Sequence, residues 1–194
     1  MHRKAFSFSM DIYQQKKELR KQVKQLKATF SLEQKKALSM DIIQQIEKAE
    51  VFNKARCIMA YWSMDDEVFT HEFVKKWGGK KQIVLPVVKG SELELKVFRG
   101  VEELVAGENF GIPEPAGELF EDAEQIELII VPGVAFDKDK NRMGRGKAYY
   151  DQLLRNSKAY KMGICFHFQY FNQVPHDHLD VQMDEVLINT KEAD

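Results

Sequence analysis

The residues whose types and spacing best suit binding or catalysis lie at positions 132–151, where the sequence reads PGVAFDKDKNRMGRGKAYYD. This segment follows an apolar run of strand length and leads into a pattern typical of a helix. Open α/β sheets bind ligands at such junctions. Arg142, Arg145 and Lys147 place three positive charges within six residues. The glycines of GRGK allow a ligand to approach the backbone closely, and a helix N-terminus favours anions. The segment predicts a phosphate-binding site, the alternative being a basic surface loop before a helix.

Neither of the two standard nucleotide-binding loops fits this segment. A P-loop needs a glycine at the position of Asn141 and a serine or threonine at that of Ala148. The dinucleotide fingerprint needs a third glycine where Tyr149 stands. Both loops are excluded by the spacing of the glycines.

Three residues at the start of the predicted helix have two interpretations each. Asp151, on the first turn, is either a ligand of a magnesium ion that bridges phosphate oxygens or an ordinary N-terminal acid. Tyr149 and Tyr150 are adjacent and therefore point to different sides of the helix. We expect one of them in the core and the other beside the ligand.

A second candidate patch is the sequence YWSMDDEVFT at residues 61–70. It follows a strand, so it should lie at the same edge of the sheet as the first. Glu67 and the Asp65–Asp66 pair could orient a nitrogen-rich ring, and Trp62 could stack on it. The alternative is a solvated acidic turn.

The elements that must position these patches alternate between helix and strand. Apolar residues recur at helical spacing in residues 19–30, and Ser31 followed by Gln34 is typical of a capping box. We expect the lysines and arginines of the first helix, from Lys16 to Lys27, to form a solvated face. Strand-length runs follow at residues 56–62, 82–88, 92–98, 126–131, 161–166 and 185–189. Pro86 suggests a strand end or a bulge. The alternation predicts one α/β domain with a mostly parallel sheet covered on both faces.

The composition of the chain argues against several classes of protein. The chain has 194 residues, 44% hydrophobic and 30% charged, with a formal net charge of -1. This balance argues against attachment to nucleic acid or membrane by bulk charge. The apolar runs are far shorter than the ~20 residues of a membrane span. Cys57 and Cys165 are expected to be buried free thiols in a reducing compartment, so we expect a cytoplasmic protein.

Residues 132–151 closely resemble the 5-formyltetrahydrofolate cyclo-ligase family, also called methenyltetrahydrofolate synthetases. The family pattern begins Pro-Gly-x-x-Phe-Asp and ends Arg-Leu/Met-Gly-Arg/Lys-Gly-x-x-Tyr-Tyr-Asp. Further similar stretches occur in the family's order, so the resemblance extends from about residue 16 to residue 188. They are KKELR at 16–20, SMDDEV at 63–68, GIPEP at 111–115 and DEVL at 184–187.

The resemblance implies a three-layer α/β/α sandwich in which residues 1–194 form one domain, with 1–10 as a possible extension. It also implies a reaction: ATP- and Mg²⁺-dependent closure of 5-formyltetrahydrofolate to 5,10-methenyltetrahydrofolate, through a phosphorylated imidate, with release of ADP and phosphate. We expect a monomer whose partners are small molecules. A phosphate-binding isomerase or acyl-transfer enzyme, and a folate- or nucleotide-binding module without catalysis, stay open as alternatives.

Residue roles follow from the same resemblance. Arg145 and Lys147 would be catalytic, stabilising charge on the transferring phosphoryl group. Glu67 would accept hydrogen bonds from the pterin. The residues implied in ATP binding are Lys16, Arg20, Arg142, Met143, Gly144, Arg145, Gly146, Lys147, Ala148, Tyr149 and Tyr150. Those implied in folate binding are Trp62, Glu67, Phe110, Arg145 and Tyr149, and the implied magnesium ligands are Asp151 and Asp184.

Two positions depart from the family pattern. Ala148 stands where many members have glycine, and we expect it to adopt an ordinary helical conformation. Phe110 stands where some members have tryptophan, so apolar stacking survives with less area. Neither change removes a charged group, so the resemblance still implies an active enzyme.

Overall fold

The computed structural model describes residues 11–107, 111 and 113–190. Phe110 and the N-terminal residues 1–10 lie outside this part of the chain. The α-helices within it are α1 (Ile12–Ala28), α2 (Leu32–Lys48), α3 (Glu50–Lys54), α4 (His71–Trp77) and α5 (Tyr149–Arg155). Short 3₁₀ helices span Val101–Glu103, Ala123–Gln125 and His167–Gln169. No helix in the described ranges is both long and apolar enough to cross a membrane.

Local capping determines where each of the first two helices begins. Asp11 accepts a hydrogen bond from the Gln14 backbone N–H at 2.8 Å and so begins α1. At the start of α2, the Ser31 hydroxyl and the Gln34 side chain each accept a hydrogen bond from the other's backbone N–H. The predicted capping box is confirmed.

The strands form one large sheet and two small ones. The large sheet consists of β1 (Cys57–Met59), β2 (Gln82–Lys89), β3 (Glu92–Val97), β6 (Leu128–Pro132), β9 (Tyr160–Cys165) and β11 (Glu185–Ile188). The small sheets consist of β4 (Leu104–Ala106) with β5 (Pro113–Pro115), and β7 (Ala135–Asp137) with β8 (Arg142–Met143) and β10 (Tyr170–Phe171). The order in the large sheet is β11-β9-β6-β1-β2-β3. All neighbours are parallel except β2 and β3.

The core lies on both faces of the large sheet. In β6, Leu128 and Ile130 pack with side chains of α2, α3 and α4, whereas Ile129 and Val131 pack with Leu154 of α5. Because successive strand residues point to opposite faces, a strand with four fully buried residues must be covered on both sides. The α/β class and the mostly parallel sheet are confirmed. On the second face the helical layer is thin, because α5 has only seven residues and loops complete the cover.

Two local expectations are wrong. Pro86 is neither at a strand end nor at a bulge, because β2 runs through it and pairs it with Leu95 of β3. β1 pairs with β2 only as far as Val84, so Pro86 lies in a stretch with one neighbouring strand, where a missing N–H is tolerated. The first helix is not a uniformly solvated basic face either. Its Lys27 is buried.

Candidate active site

A cleft opens at the carboxyl ends of β1, β2 and β6. The strand order reverses between β1 and β6, since β2 and β3 follow on one side of β1 while β6, β9 and β11 extend on the other. Such a switch point leaves a crevice at the carboxyl edge of an open sheet. The cleft is lined by Tyr61, Trp62, Met64, Glu67, Leu85, Pro86, Val88, Leu93, Pro113, Glu114, Pro115, Pro132, Gly133, Val134, Arg142, Gly144, Arg145, Lys147, Ala148, Tyr149, Tyr150 and Asp151.

A buried carboxylate fixes the turn that delivers the basic loop. Asp137, which has no exposed surface, accepts hydrogen bonds from the backbone N–H groups of Asp139 and Asn141 at 3.0 and 2.9 Å. Its other oxygen accepts from the Asn141 amide at 3.0 Å and the Val174 N–H at 2.8 Å. The FDKDKN sequence thereby closes the β7–β8 hairpin. The hairpin in turn places Arg142 at the floor of the cleft.

Arg142 is held from three sides. One guanidinium nitrogen donates to Asp151 at 2.9 Å, another donates to the Pro132 carbonyl at 3.2 Å, and the group lies 5.6 Å from the centre of the Tyr150 ring. The Asp151 carboxylate is thus paired with an arginine, and its second oxygen accepts from the Val181 N–H at 3.4 Å. Arg142 and Asp151 form a nearly buried ion pair that ties the start of α5 to β8.

The loop between β8 and α5 departs from helical geometry. Gly146 has φ of 99° and Ala148 has φ of 57°, both in the left-handed region. The helix therefore starts at Tyr149, three residues later than the sequence predicts. The expectation that Ala148 is ordinarily helical is wrong. A glycine at this position avoids the clash between the side chain and the backbone that an alanine must accept.

Both tyrosines of the pair face the cleft, and they differ in what else they contact. The Tyr149 hydroxyl donates to the Gly90 carbonyl at 3.2 Å, at the tip of the β2–β3 hairpin. Tyr150 packs against the core on the second face of the sheet, and burial raises the pKa of its hydroxyl. Tyr149 thereby links the start of α5 to the opposite wall of the cleft.

The acidic turn is folded inward. Glu67 accepts a hydrogen bond from the Met64 N–H at 3.1 Å with one oxygen and from Arg145 at 3.1 Å with the other. Trp62 stacks on His71 with ring centres 4.2 Å apart and planes at 16°. Burial lowers the pKa of His71, more than its contact with the Ser63 carbonyl raises it. Glu67 is therefore a wall residue of the cleft rather than part of a solvated turn.

A chain of alternating charges connects this turn to α1. Arg145 donates to Asp66 at 2.6 Å, and Lys27 donates to the other oxygen of Asp66 at 3.1 Å. Burial acts to raise the pKa of Asp66, but Lys27 and Arg145 outweigh it, so the pKa is lowered. For Arg145, burial acts to lower the pKa, and Glu67 and Asp66 outweigh it and raise the pKa.

Two further cations of α1, Arg20 and Lys16, contact residues from the second half of the chain. Arg20 donates to the Gly144 carbonyl at 3.0 Å and packs beside Gly146. Lys16, one turn earlier, pairs with Asp180 at 2.5 Å and Asp177 at 2.9 Å. Burial acts to lower the pKa of Lys16, but the two carboxylates outweigh it and raise the pKa. The loop is thus held between α1 and the cleft.

With the geometry described, comparison with known proteins identifies the family. A model of the 5-formyltetrahydrofolate cyclo-ligase family matches residues 12–189. The chain belongs to this family of ligases. It is 31% identical over 193 residues to the mouse 5-formyltetrahydrofolate cyclo-ligase, covering 92% of this chain and 95% of the relative.

Solved structures of similar proteins agree with this assignment. The fold is similar to that of an Aquifex aeolicus 5,10-methenyltetrahydrofolate synthetase, with a TM-score of 0.81, 34% identity and 91% of each chain covered. A Mycoplasma pneumoniae 5,10-methenyltetrahydrofolate synthetase matches with a TM-score of 0.70 and 28% identity, covering 94% of this chain and 100% of the other. The resemblance inferred from the sequence is confirmed.

In this cyclo-ligase, the predicted site residues divide into three groups. Those that line the cleft are Trp62, Glu67, Arg142, Gly144, Arg145, Lys147, Ala148, Tyr149, Tyr150 and Asp151. Gly146 lies in the loop beside Arg20, Lys16 pairs with Asp177 and Asp180, and Met143 is buried against Val23 of α1. Asp184 is elsewhere. Its carboxylate accepts from the Lys161 N–H at 2.7 Å, at the amino end of β9 and hence at the opposite edge of the sheet.

Sequence reasoning missed several functional neighbours in this cyclo-ligase. The apolar wall formed by Leu85, Pro86 and Leu93 was expected only as strand. His71 was given no role, and Lys27 was expected in solvent. A histidine nine residues after Trp62 carries no periodic signal, so only the fold shows that the two rings stack.

Proposed function

We propose that this enzyme closes 5-formyltetrahydrofolate to 5,10-methenyltetrahydrofolate with cleavage of ATP to ADP and phosphate. The supporting observation is that one cleft brings together Arg145 and Lys147 with Glu67 and Trp62. The first pair suits a polyphosphate, and the second pair suits an aromatic ring that carries N–H donors. A protein that bound only one of the two substrates would not need both sets of groups in the same cleft.

In the proposed reaction, the formyl oxygen of the folate attacks the γ-phosphorus of ATP, and ADP leaves. The second nitrogen of the folate then adds to the carbon of the phosphorylated imidate and releases its proton to solvent. Phosphate leaves with the former formyl oxygen, which gives the methenyl bridge. Because the substrate oxygen is the nucleophile, the protein supplies only positioning and charge stabilisation. Lys147 and Arg145 are the groups placed to do so.

To bind the pterin of the folate, the cleft needs a hydrogen-bond acceptor and a flat apolar surface. Glu67 is held by the Met64 N–H so that its carboxylate stays in the cleft, where it can accept hydrogen bonds from pterin N–H groups. Trp62 is backed by His71 and offers a flat apolar surface beside Leu85 and Pro86. A carboxylate opposite a stacking ring fixes both the orientation and the plane of a pterin.

The predicted magnesium ligands fit only in part. Among the described residues, no group of three or more His, Cys, Asp or Glu side chains is placed to hold a metal ion. Magnesium in phosphoryl-transfer sites uses one or two carboxylates together with substrate phosphates. Asp151 lines the cleft, but its two oxygens accept from Arg142 and the Val181 N–H, so it would bind an ion beside ATP only on giving up one of these partners. Asp184 is turned to the opposite edge of the sheet. When bound with ATP, the ion would neutralise phosphate charge.

The direct test is formation of the methenyl chromophore by the purified protein with and without Mg-ATP. We expect product only with ATP. Lys147→Met should lower kcat by about 10²-fold or more, because it removes charge where negative charge develops. Lys158→Met, an exposed lysine in the same half of the chain, is the matched control and should leave kcat unchanged.

The roles within the cleft can be separated by binding. Glu67→Gln should weaken folate binding more than ATP binding, and equal loss of both would contradict its place at the pterin. If both substrates bound and no product formed, the protein would be a binding module rather than a cyclo-ligase. If neither bound, the proposed function would be wrong.

A further inference from the structure

Lys27 is an ammonium group placed where an apolar residue would be expected. It lies on the last turn of α1, and its side chain is only 8% exposed. The ammonium donates to one oxygen of Asp66 at 3.1 Å. A buried ammonium pays a desolvation penalty that a single carboxylate rarely repays, and an apolar side chain of similar volume usually serves stability as well or better. The pair therefore calls for a reason other than stability.

Asp66 binds two cations at once, one on each oxygen. Lys27 donates to Oδ2, and Arg145 donates to Oδ1 at 2.6 Å. The three residues come from α1, from the turn after β1 and from the loop before α5. Asp66 thereby links the guanidinium of Arg145, at the mouth of the cleft, to Lys27 of α1.

The charges of this cluster balance only because Lys27 is present. Lys27 and Arg145 carry two positive charges, and Asp66 and Glu67 carry two negative charges. Without Lys27 the cluster would be negative by one, beside a cleft that must accept an anion. With Lys27 present the cluster is neutral, so a phosphate group that approaches Arg145 meets no net negative charge there.

We infer that Lys27 and Asp66 are positioning residues for Arg145: Asp66 anchors its guanidinium, and Lys27 neutralises the anchor. The inference rests on the proposed function only in taking ATP phosphate as the anion that Arg145 meets. Neither residue needs to touch a substrate. The two residues should therefore act in opposite directions on anion binding, which a merely structural pair would not do.

The first experiment measures tripolyphosphate binding by calorimetry, so it does not depend on turnover. Lys27→Met should weaken binding about tenfold, because it removes a positive charge from a partly desolvated cluster. Lys27→Arg should restore it. Lys24→Met, one turn earlier on the exposed side of α1, is the matched control and should bind as the wild type does. In an Arg145→Met background, Lys27→Met should cause little further loss, because the two effects are coupled.

The second experiment concerns the anchor. Asp66→Asn removes a negative charge, so tripolyphosphate should bind as tightly as in the wild type or more tightly. Arg145 should nevertheless lose its order, measured by NMR as faster exchange of its guanidinium Nη–H protons, with kcat lowered about tenfold or more. Asp66→Asn leaves the 8% exposed side chain of Lys27 without its carboxylate, so circular dichroism must first show that this variant is folded. Lys27→Met leaves Asp66 40% exposed and paired with Arg145, so it keeps the inference testable if Asp66→Asn does not fold.

Several outcomes would overturn the inference. They are additive effects of Lys27→Met and Arg145→Met, a Lys27→Met protein that binds like Lys24→Met, and weaker anion binding by Asp66→Asn. A wild-type protein that bound tripolyphosphate with the expected dependence on Lys27 but formed no methenyl product would refute the proposed function alone.

Discussion

Because Ala148 is in the left-handed conformation, we predict that glycine at this position makes the protein more stable. A non-glycine residue pays about 1–2 kcal/mol for left-handed geometry. Against this, glycine adds unfolded-state freedom that costs about 0.4–1 kcal/mol. The methyl group is exposed, so its removal loses little packing. Ala148→Gly should therefore stabilise the protein by about 1 kcal/mol, which is about 2–4 °C in Tm for a domain of this size.

The assay is urea unfolding monitored by circular dichroism, with Ala37→Gly as the matched control. Ala37 is exposed in the middle of α2, so the same substitution there should destabilise by about 1 kcal/mol. The two variants should differ in sign. If Ala148→Gly destabilised as Ala37→Gly does, the argument from the left-handed conformation would be refuted.

Three further predictions concern the cleft and its supports. Tyr149→Phe removes the hydrogen bond to the hairpin tip and should raise the folate KM several-fold while changing stability by less than about 0.5 kcal/mol, since the bond is exposed. Hydrogen bonding to Lys16 lowers the pKa of Asp177 below its ordinary 3.8. The pair therefore stabilises the fold fully above pH 3.8, and this stabilisation is lost as the pH falls through the lowered pKa of Asp177. The stability difference between wild type and Lys16→Met should accordingly shrink in acid, as measured by unfolding across pH. Burial raises the pKa of Cys57 to about 11, and Cys165 is also buried, so neither thiol should be alkylated by iodoacetamide at pH 8 until the protein unfolds, as read by mass spectrometry.

Local signals in the sequence predicted much of the fold. The capping box at Ser31 and Gln34 needs only residues three apart, so it is visible without tertiary structure. The strand around Ile129 is apolar on both faces, which indicates full burial. The motif at residues 142–151 was correctly placed at a strand-to-helix junction beside the cleft.

What sequence reasoning missed depends on contacts between distant segments. Lys27 looks like its exposed neighbour Lys24, and only the packing of α1 against the turn that carries Asp66 shows that it is buried. The left-handed geometry of Ala148 follows from how the loop closes between β8 and α5. Asp184 matches a family motif, yet strand direction places its carboxylate at the far edge of the sheet.

The position of α1 has a consequence for synthesis on the ribosome. Val23 of this helix packs with Ala135, Met143 and Val174, and Arg20 and Lys16 contact residues beyond position 143. These partners are made more than a hundred residues after Val23. Until then its apolar stripe is exposed, and the cleft lacks its rear support. A nascent chain would thus gain its anion-binding loop among the last features to form, and a substrate present at that moment would favour completion of the whole fold.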